Sequence, residues 1–313
     1  MTIKIWFFGT PELSARVLQE LMNESDISVE FVVTNPDKPY GRHQETRKSP
    51  VKIIAETYLI PIFTPEKIRN NYEFLYEIRS FTVDYFVVVA YGKILPQDIL
   101  NLPKKMCVNI HGSILPQYRG ASPIQSALLH GEKETGVTIM QMTEGMDEGD
   151  ILMIDKIQIA PDETSGTLFE KFAQISGKTL ITTLRWIENG TVKSYVQDHK
   201  TATYCQKIEK EDGKIDWNLD ARSIYHMWQA YTPWPWIYTY LDGKRLLIER
   251  IKISQDTLSV PVWTVVQWSD GAVSVWCGTW SIILERVKLE GKASQTIANF
   301  CNGQQNLIGK ILR

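Results

Sequence analysis

Five short, nearly unbroken apolar runs recur in the first half of the chain, at 3–8, 29–34, 83–90, 106–111 and 136–142. A strand with one wet face alternates apolar and polar residues. A strand without that alternation has to be covered on both faces, as in a parallel sheet flanked by helices. Helix patterns lie between the runs, for example at 12–22 and 122–130. Thr10-Pro11-Glu12 has the chemistry of a helix start: a capping hydroxyl, proline at the first helical position and an acid in the first turn. The alternation predicts a Rossmann-like, doubly wound parallel sheet over residues 1–190. The first run is followed by Gly9-Thr10-Pro11-Glu12-Leu13 rather than G-x-G-x-x-G, and no G-x-x-x-x-G-K-[ST] occurs. Both absences argue against a dehydrogenase or a nucleotide triphosphatase.

Past residue 190 the pattern changes. Eight of the ten tryptophans lie between 217 and 280. Short β-type runs appear at 237–241, 245–251, 262–268, 272–277 and 281–287, with turn signals at Asp242-Gly243 and Asp270-Gly271. These features predict a small β-barrel, OB-fold-like, over 207–313, with 191–206 as a linker. Most of the tryptophans fall inside strand patterns, so they read as core rather than as a base-stacking platform. Residues 200–313 carry a net charge of +3 and the remainder −5, a weak sign that the second part faces an anion.

Residues 35–50 form a polar insertion with three prolines and the bases Lys38, Arg42, Arg47 and Lys48. So long a loop in a compact domain is usually functional or disordered, and this one suits a loop that is mobile alone and orders on an anionic partner. The four cysteines (107, 205, 277, 301) show neither C-x-x-C nor zinc-finger spacing, and the five histidines form no ligand-spaced set, so no metal is expected. Reduced thiols, no visible targeting segment and no membrane span predict a cytoplasmic protein.

Asn109 and His111 stand two apart at the end of the run 106–111, so both side chains point to one face. Pro116 closes the segment that follows, because proline cannot continue a central ladder. Polar side chains at the C-terminal end of a parallel strand lie where open α/β folds place their ligands. Asp147 follows between Gly145 and Gly149, which permit a tight turn. An amide, an imidazole and a carboxylate can polarise a carbonyl, stabilise an oxyanion and move protons. A nearby carboxylate raises a histidine pKa, the direction required for a protonated His111 that hydrogen-bonds the oxyanion with Asp147 in support.

The stretch Val108-Asn109-Ile110-His111-Gly112-Ser113-Ile114-Leu115-Pro116-Gln117-Tyr118-Arg119-Gly120 resembles the active-site signature of the folate-dependent formyltransferases. The resemblance covers essentially the whole chain. It includes Asn35-Pro36-Asp37-Lys38-Pro39, Ser49-Pro50-Val51-Lys52, Ala90-Tyr91-Gly92-Lys93-Ile94-Leu95-Pro96, Ile215-Asp216-Trp217 and Pro233-Trp234-Pro235. It is loose from about 254 to 286.

The resemblance implies formyl transfer from 10-formyltetrahydrofolate to an amine, with Asn109, His111 and Asp147 catalytic. It places the folate against Ser113, Ile114, Leu115 and Pro116, with Tyr91, Lys93, Leu95 and Gly145 lining the site. The basic insertion and the β-rich second domain point to the branch whose acceptor is methionyl-initiator tRNA. In that branch Lys38, Arg42, Arg47 and Lys48 reach the acceptor end, and a monomer is expected. The alternatives are an acceptor that is an amino-sugar nucleotide, and a non-catalytic RNA-binding protein with a relic first domain.

Overall fold

The computed structural model describes residues 2–40, 45–256, 260–304 and 307–312. The chain divides into two compact units. The first takes the residues up to Pro123 together with Glu134–Gln158 and Phe169–Cys205. The second takes Ile124–Lys133, Ile159–Leu168 and the chain from Gln206 onward.

Among the described residues the first unit holds a seven-stranded sheet. Its order is Ile151–Gln158, Glu134–Gln141, Met106–His111, Tyr85–Val89, Ile3–Gly9, Ile27–Val33, Ile62–Phe63. The last five pair in parallel. Glu134–Gln141 and Ile151–Gln158 run antiparallel. The apolar run at 136–142 showed that its strand would be covered, but coverage does not fix direction. The central strands are covered on both faces, and every residue of Tyr85–Val89 is buried. On one face Trp6 lies between Phe31 and Phe86, with ring centroids 3.7 and 4.7 Å away.

The helix Glu12–Met22 begins where expected, but Thr10 is not its cap. Pro11 occupies that position, and the Thr10 hydroxyl instead accepts from the Asn35 side-chain amide at 3.0 Å. The described residues of the insertion include two short strands. Lys38–Tyr40 pairs antiparallel with Glu45–Arg47. Ser49 then caps the helix Pro50–Thr57 through Lys52 N.

Residues 191–206, read above as a linker, carry structure of their own. Tyr195 bridges to Ile151, and Tyr204–Cys205 pairs in parallel with Arg119–Gly120. The strand Ile151–Gln158 and the long helix Ser165–Glu188 are further elements that the apolar runs did not mark.

The second unit holds an antiparallel sheet in the order Ile237–Leu241, Lys244–Ser254, Ser281–Leu289, Val273–Trp276, Val265–Gln267, with Gln295–Thr296 against Ser281–Leu289. Asp242 and Gly243 take φ of 49° and 76°, the left-handed pair that a two-residue hairpin needs. Two register shifts lie between Lys244–Ser254 and Ser281–Leu289, and bulges of this kind bend and twist a sheet. The unit also contains the helix Ala221–Tyr231, capped by Asp220. Trp217 and Trp228 are buried, and their indole N–H groups donate to Thr239 Oγ1 and Glu249 O; Trp234 is half exposed. Among the described residues no helix is long and apolar enough to cross a membrane.

Candidate active site

The strand Met106–His111 has a parallel neighbour on one side and an antiparallel one on the other. The sheet therefore changes character at the strand that carries Asn109 and His111. The pleat sends both side chains to one face and Val108 and Ile110 to the other. Asn109 is half-buried, and its amide makes no hydrogen bond among the described residues. That amide is therefore open to a ligand.

His111 is only 5% exposed. Its Nε2 lies 2.9 Å from the Tyr118 carbonyl oxygen, and its Nδ1 lies 3.5 Å from Asp147 Oδ2. The same carboxylate oxygen accepts from Gly120 N at 2.8 Å. Both ring nitrogens thus face acceptors, and only an imidazolium can donate to both. Burial nevertheless holds the His111 pKa below its ordinary 6.5, outweighing the upward pull of Asp147 and the Tyr118 carbonyl, while Arg119 pushes it down further. The upward shift expected from the carboxylate is therefore corrected in its net direction. The carboxylate is present, but desolvation dominates.

Asp147 itself sits at φ 52°, a left-handed conformation that aspartate tolerates better than most side chains. Gly149 makes the turn possible by close approach, since a Cβ there would lie 1.8 Å from the Gln141 carbonyl oxygen. At Gly145 a Cβ would meet only the flexible end of Glu148.

The residues expected around the folate are placed as follows. Ser113 is buried, and its hydroxyl donates to Gln117 O at 2.5 Å, closing the turn after the strand. Leu115 packs with Met140 and Ile151, joined to Pro116 by a cis bond, while Ile114 and Pro116 are partly exposed. Tyr91 and Leu95 belong to the aromatic core. The Tyr91 hydroxyl is buried without a partner among the described residues, and burial raises its pKa. Lys93 donates to the carbonyls of Pro65 and Glu66 at 2.6 and 2.9 Å, and burial lowers its pKa. Gly145 is partly exposed on the Asp147 loop.

Of the basic residues in the insertion, Lys38 and Arg47 stand opposite one another in the paired strands, and Lys48 is paired with Glu56 at 2.8 Å. Arg42 lies outside the described residues. Among the described residues no three His, Cys, Asp or Glu side chains converge as a metal site would require.

Two residues not singled out from the sequence stand behind the trio. Arg119 is fully buried, and Gln197 is 3% exposed. Arg119 stood in the quoted motif without a role. Gln197 lies in a segment with no pattern that could have marked it.

The open amide, the buried ring and the carboxylate suit the transfer of a group through a carbonyl. The description "Formyl transferase" matches residues 2–184, and "Formyl transferase, C-terminal domain" matches residues 207–305. The solved structures that share the fold include an N-formyltransferase from Helicobacter canadensis in complex with folinic acid and dTDP-3-aminofucose. It has a TM-score of 0.67 and 17% identity, over 90% of this chain and 99% of that one. HypX from Aquifex aeolicus, solved with tetrahydrofolic acid, aligns at a TM-score of 0.64 and 16% identity, over 98% of this chain and 48% of that one. The chain is 39% identical over 302 residues to the methionyl-tRNA formyltransferase of Desulfotalea psychrophila, covering 96% of this chain and 93% of the relative. It is also 39% identical over 310 residues to that of Caldicellulosiruptor saccharolyticus, covering 98% and 99%. The chain belongs to the methionyl-tRNA formyltransferase family.

Proposed function

We propose that this protein transfers the formyl group of 10-formyltetrahydrofolate to the free amino group of methionyl-initiator tRNA, supporting translation initiation. The observation that carries the reading is the pairing of Asp147 with His111, on the same strand as Asn109, in a chain nearly collinear with its tRNA-directed relatives. The folate supplies the formyl carbon. As a neutral amine adds to that carbon, its oxygen becomes an oxyanion and the amine nitrogen becomes cationic. The open Asn109 amide donates to the oxyanion. The partly exposed Asp147 carboxylate passes the amine proton to His111, which becomes an imidazolium held between Asp147 and the Tyr118 carbonyl. That proton is then relayed to the leaving nitrogen.

In this reading Ser113 to Pro116, Tyr91, Lys93, Leu95 and Gly145 frame the folate. Ser113, Tyr91, Lys93 and Leu95 act through the backbone they hold in place, because their side chains are already engaged or buried. Residues 207–313 act as an OB-like barrel that holds tRNA chiefly through phosphates. Lys38, Arg42, Arg47 and Lys48 serve the acceptor end. The enzyme works as a monomer in the cytoplasm.

An amino-sugar acceptor is the second reading, favoured by the fold shared with a sugar N-formyltransferase. One assay separates the two: consumption of 10-formyltetrahydrofolate with aminoacylated initiator tRNA, then with amino-sugar nucleotides in its place. Turnover only with the sugar would overturn the proposal, and binding of RNA without turnover of either would point to the non-catalytic alternative.

A further inference from the structure

Gln197 uses all of its hydrogen-bonding capacity around the loop that carries Asp147. Its Nε2 donates to the Asp147 carbonyl at 2.9 Å and to the Gly149 carbonyl at 2.7 Å. Its Oε1 accepts from Arg119 Nε at 3.1 Å and from Nη2 at 2.7 Å. The reversed amide would set donors against the guanidinium and an oxygen against two carbonyls, so the orientation is fixed by its partners. Arg119 is fixed in turn. Its Nη1 lies 3.3 Å from His199 Nδ1 and 3.3 Å from the Tyr204 hydroxyl, and its guanidinium lies 5.9 Å from the centroid of the Tyr204 ring.

The backbone on either side of Arg119 meets both catalytic groups. Tyr118 O faces the His111 ring, and Gly120 N donates to the Asp147 carboxylate. That backbone is tied to the segment beyond 200: Tyr118 N donates to Thr203 Oγ1 at 2.8 Å and Arg119 N to Thr203 O at 2.9 Å. The left-handed backbone at Asp147 persists only where its surroundings over-determine it.

We propose that Gln197, clamped by Arg119, is a positioning residue for formyl transfer: it holds the Asp147 loop in its left-handed turn and so sets the distance between Asp147 and His111. The inference rests on the reading of the trio as catalytic. It assigns a role to a segment that looked like a linker, and it separates Gln197 from a residue that merely fills space, because donors and acceptor serve different partners.

Gln197→Glu divides those two functions. Glutamate keeps the acceptor for Arg119 and gains a charge for it, but has no N–H for the Asp147 and Gly149 carbonyls. Gln197→Met, similar in length, lacks both and serves if the glutamate variant fails to fold. The full-length variants are assayed with 10-formyltetrahydrofolate and aminoacylated initiator tRNA, alone and combined with Asp147→Asn, and their melting curves are recorded.

The expected result is a cooperative melt, a KM for the folate close to the parent's, and a fall in kcat of about 10²-fold, the scale of a catalytic group misplaced by about 1 Å. Combined with Asp147→Asn, the two losses should not multiply, because one acts through the other. A Gln197→Glu or Gln197→Met variant with near-parental kcat would overturn the inference, and so would losses that multiply. If the parent itself transfers no formyl group to tRNA, it is the functional reading that fails rather than the role of Gln197.

Discussion

Asp147→Asn removes one charge and little else. An asparagine oxygen can still accept from Gly120 N, which now bonds the carboxylate at 2.8 Å, so the loop keeps its anchor. What disappears is the attraction between a carboxylate and an imidazolium 3.5 Å apart. At that separation the attraction is about 5 kcal/mol for an effective dielectric of about 20, and about 1 kcal/mol at the dielectric of water. The ring is buried and the carboxylate is 18% exposed, so the value falls between these limits.

A loss of about 3 kcal/mol corresponds to about 10²-fold in rate when the charge develops on the reaction path. The pKa shift is downward: Asp147 raises the His111 pKa, and its removal leaves burial and Arg119 to lower it further. The ring is already neutral at rest at neutral pH. The variant should therefore bind folate as the parent does and lose kcat. The measurements are steady-state kinetics and an NMR titration of the His111 ring. Unchanged kcat together with an unchanged titration would refute the electrostatic role of Asp147.

Four further outcomes are expected. Asn109→Ala should cost about 10²–10³ in turnover with little change in folate affinity, as loss of one oxyanion donor does; near-parental turnover would remove Asn109 from the catalytic set. Stability should fall as pH drops below the ordinary histidine value of 6.5, because the unfolded chain then binds a proton that buried His111 refuses until lower pH. His111→Gln should flatten that part of the curve, and urea midpoints at about pH 7.5 and about pH 5.5 that differ equally in parent and variant would contradict it. Gly149→Ala should lower both Tm and kcat, since its Cβ would fall 1.8 Å from the Gln141 carbonyl; a parental Tm would show that the loop has slack. Arg42→Ala should weaken use of aminoacylated tRNA without touching folate binding, whereas Lys48→Ala should change the salt dependence little, being paired with Glu56; filter binding at two salt concentrations tests both.

The legible parts of this chain are those in which one local pattern has one physical cause. Unbroken apolar runs marked four of the parallel strands and one antiparallel strand, and the spacing of Asn109 and His111 put both on one face. Asp242-Gly243 marked a hairpin because few residue pairs accept two left-handed positions. What was not legible depends on packing across long separations. The direction of Glu134–Gln141 is one example, and the assignment of 124–133 and 159–168 to the second unit is another. Thr10 had the chemistry of a cap and found a better partner in Asn35. The helix Ala221–Tyr231 was hidden by the β-type runs that follow it, although Asp220 and the apolar residues 221, 224 and 228 were its signals.

The sign of the His111 shift shows why a motif does not reveal its own electrostatics. From sequence, Asp147 beside His111 argues for a charged ring, because the partner is visible and the burial is not. In the fold, Arg119 adds a buried positive charge, which among the described residues has no carboxylate within ion-pair distance. Arg119 and the Asp147 carboxylate cancel while His111 is neutral. Protonating the ring at rest would leave an uncompensated charge in a desolvated place, which is costly. In the proposed mechanism the imbalance does not arise, because His111 gains its proton as the formyl oxygen gains its negative charge. The site then stays neutral through the step, and the imidazolium with its two acceptors is favoured only when the oxyanion is present. Such a site stabilises the transition state more than the ground state, which is the condition for raising turnover rather than affinity.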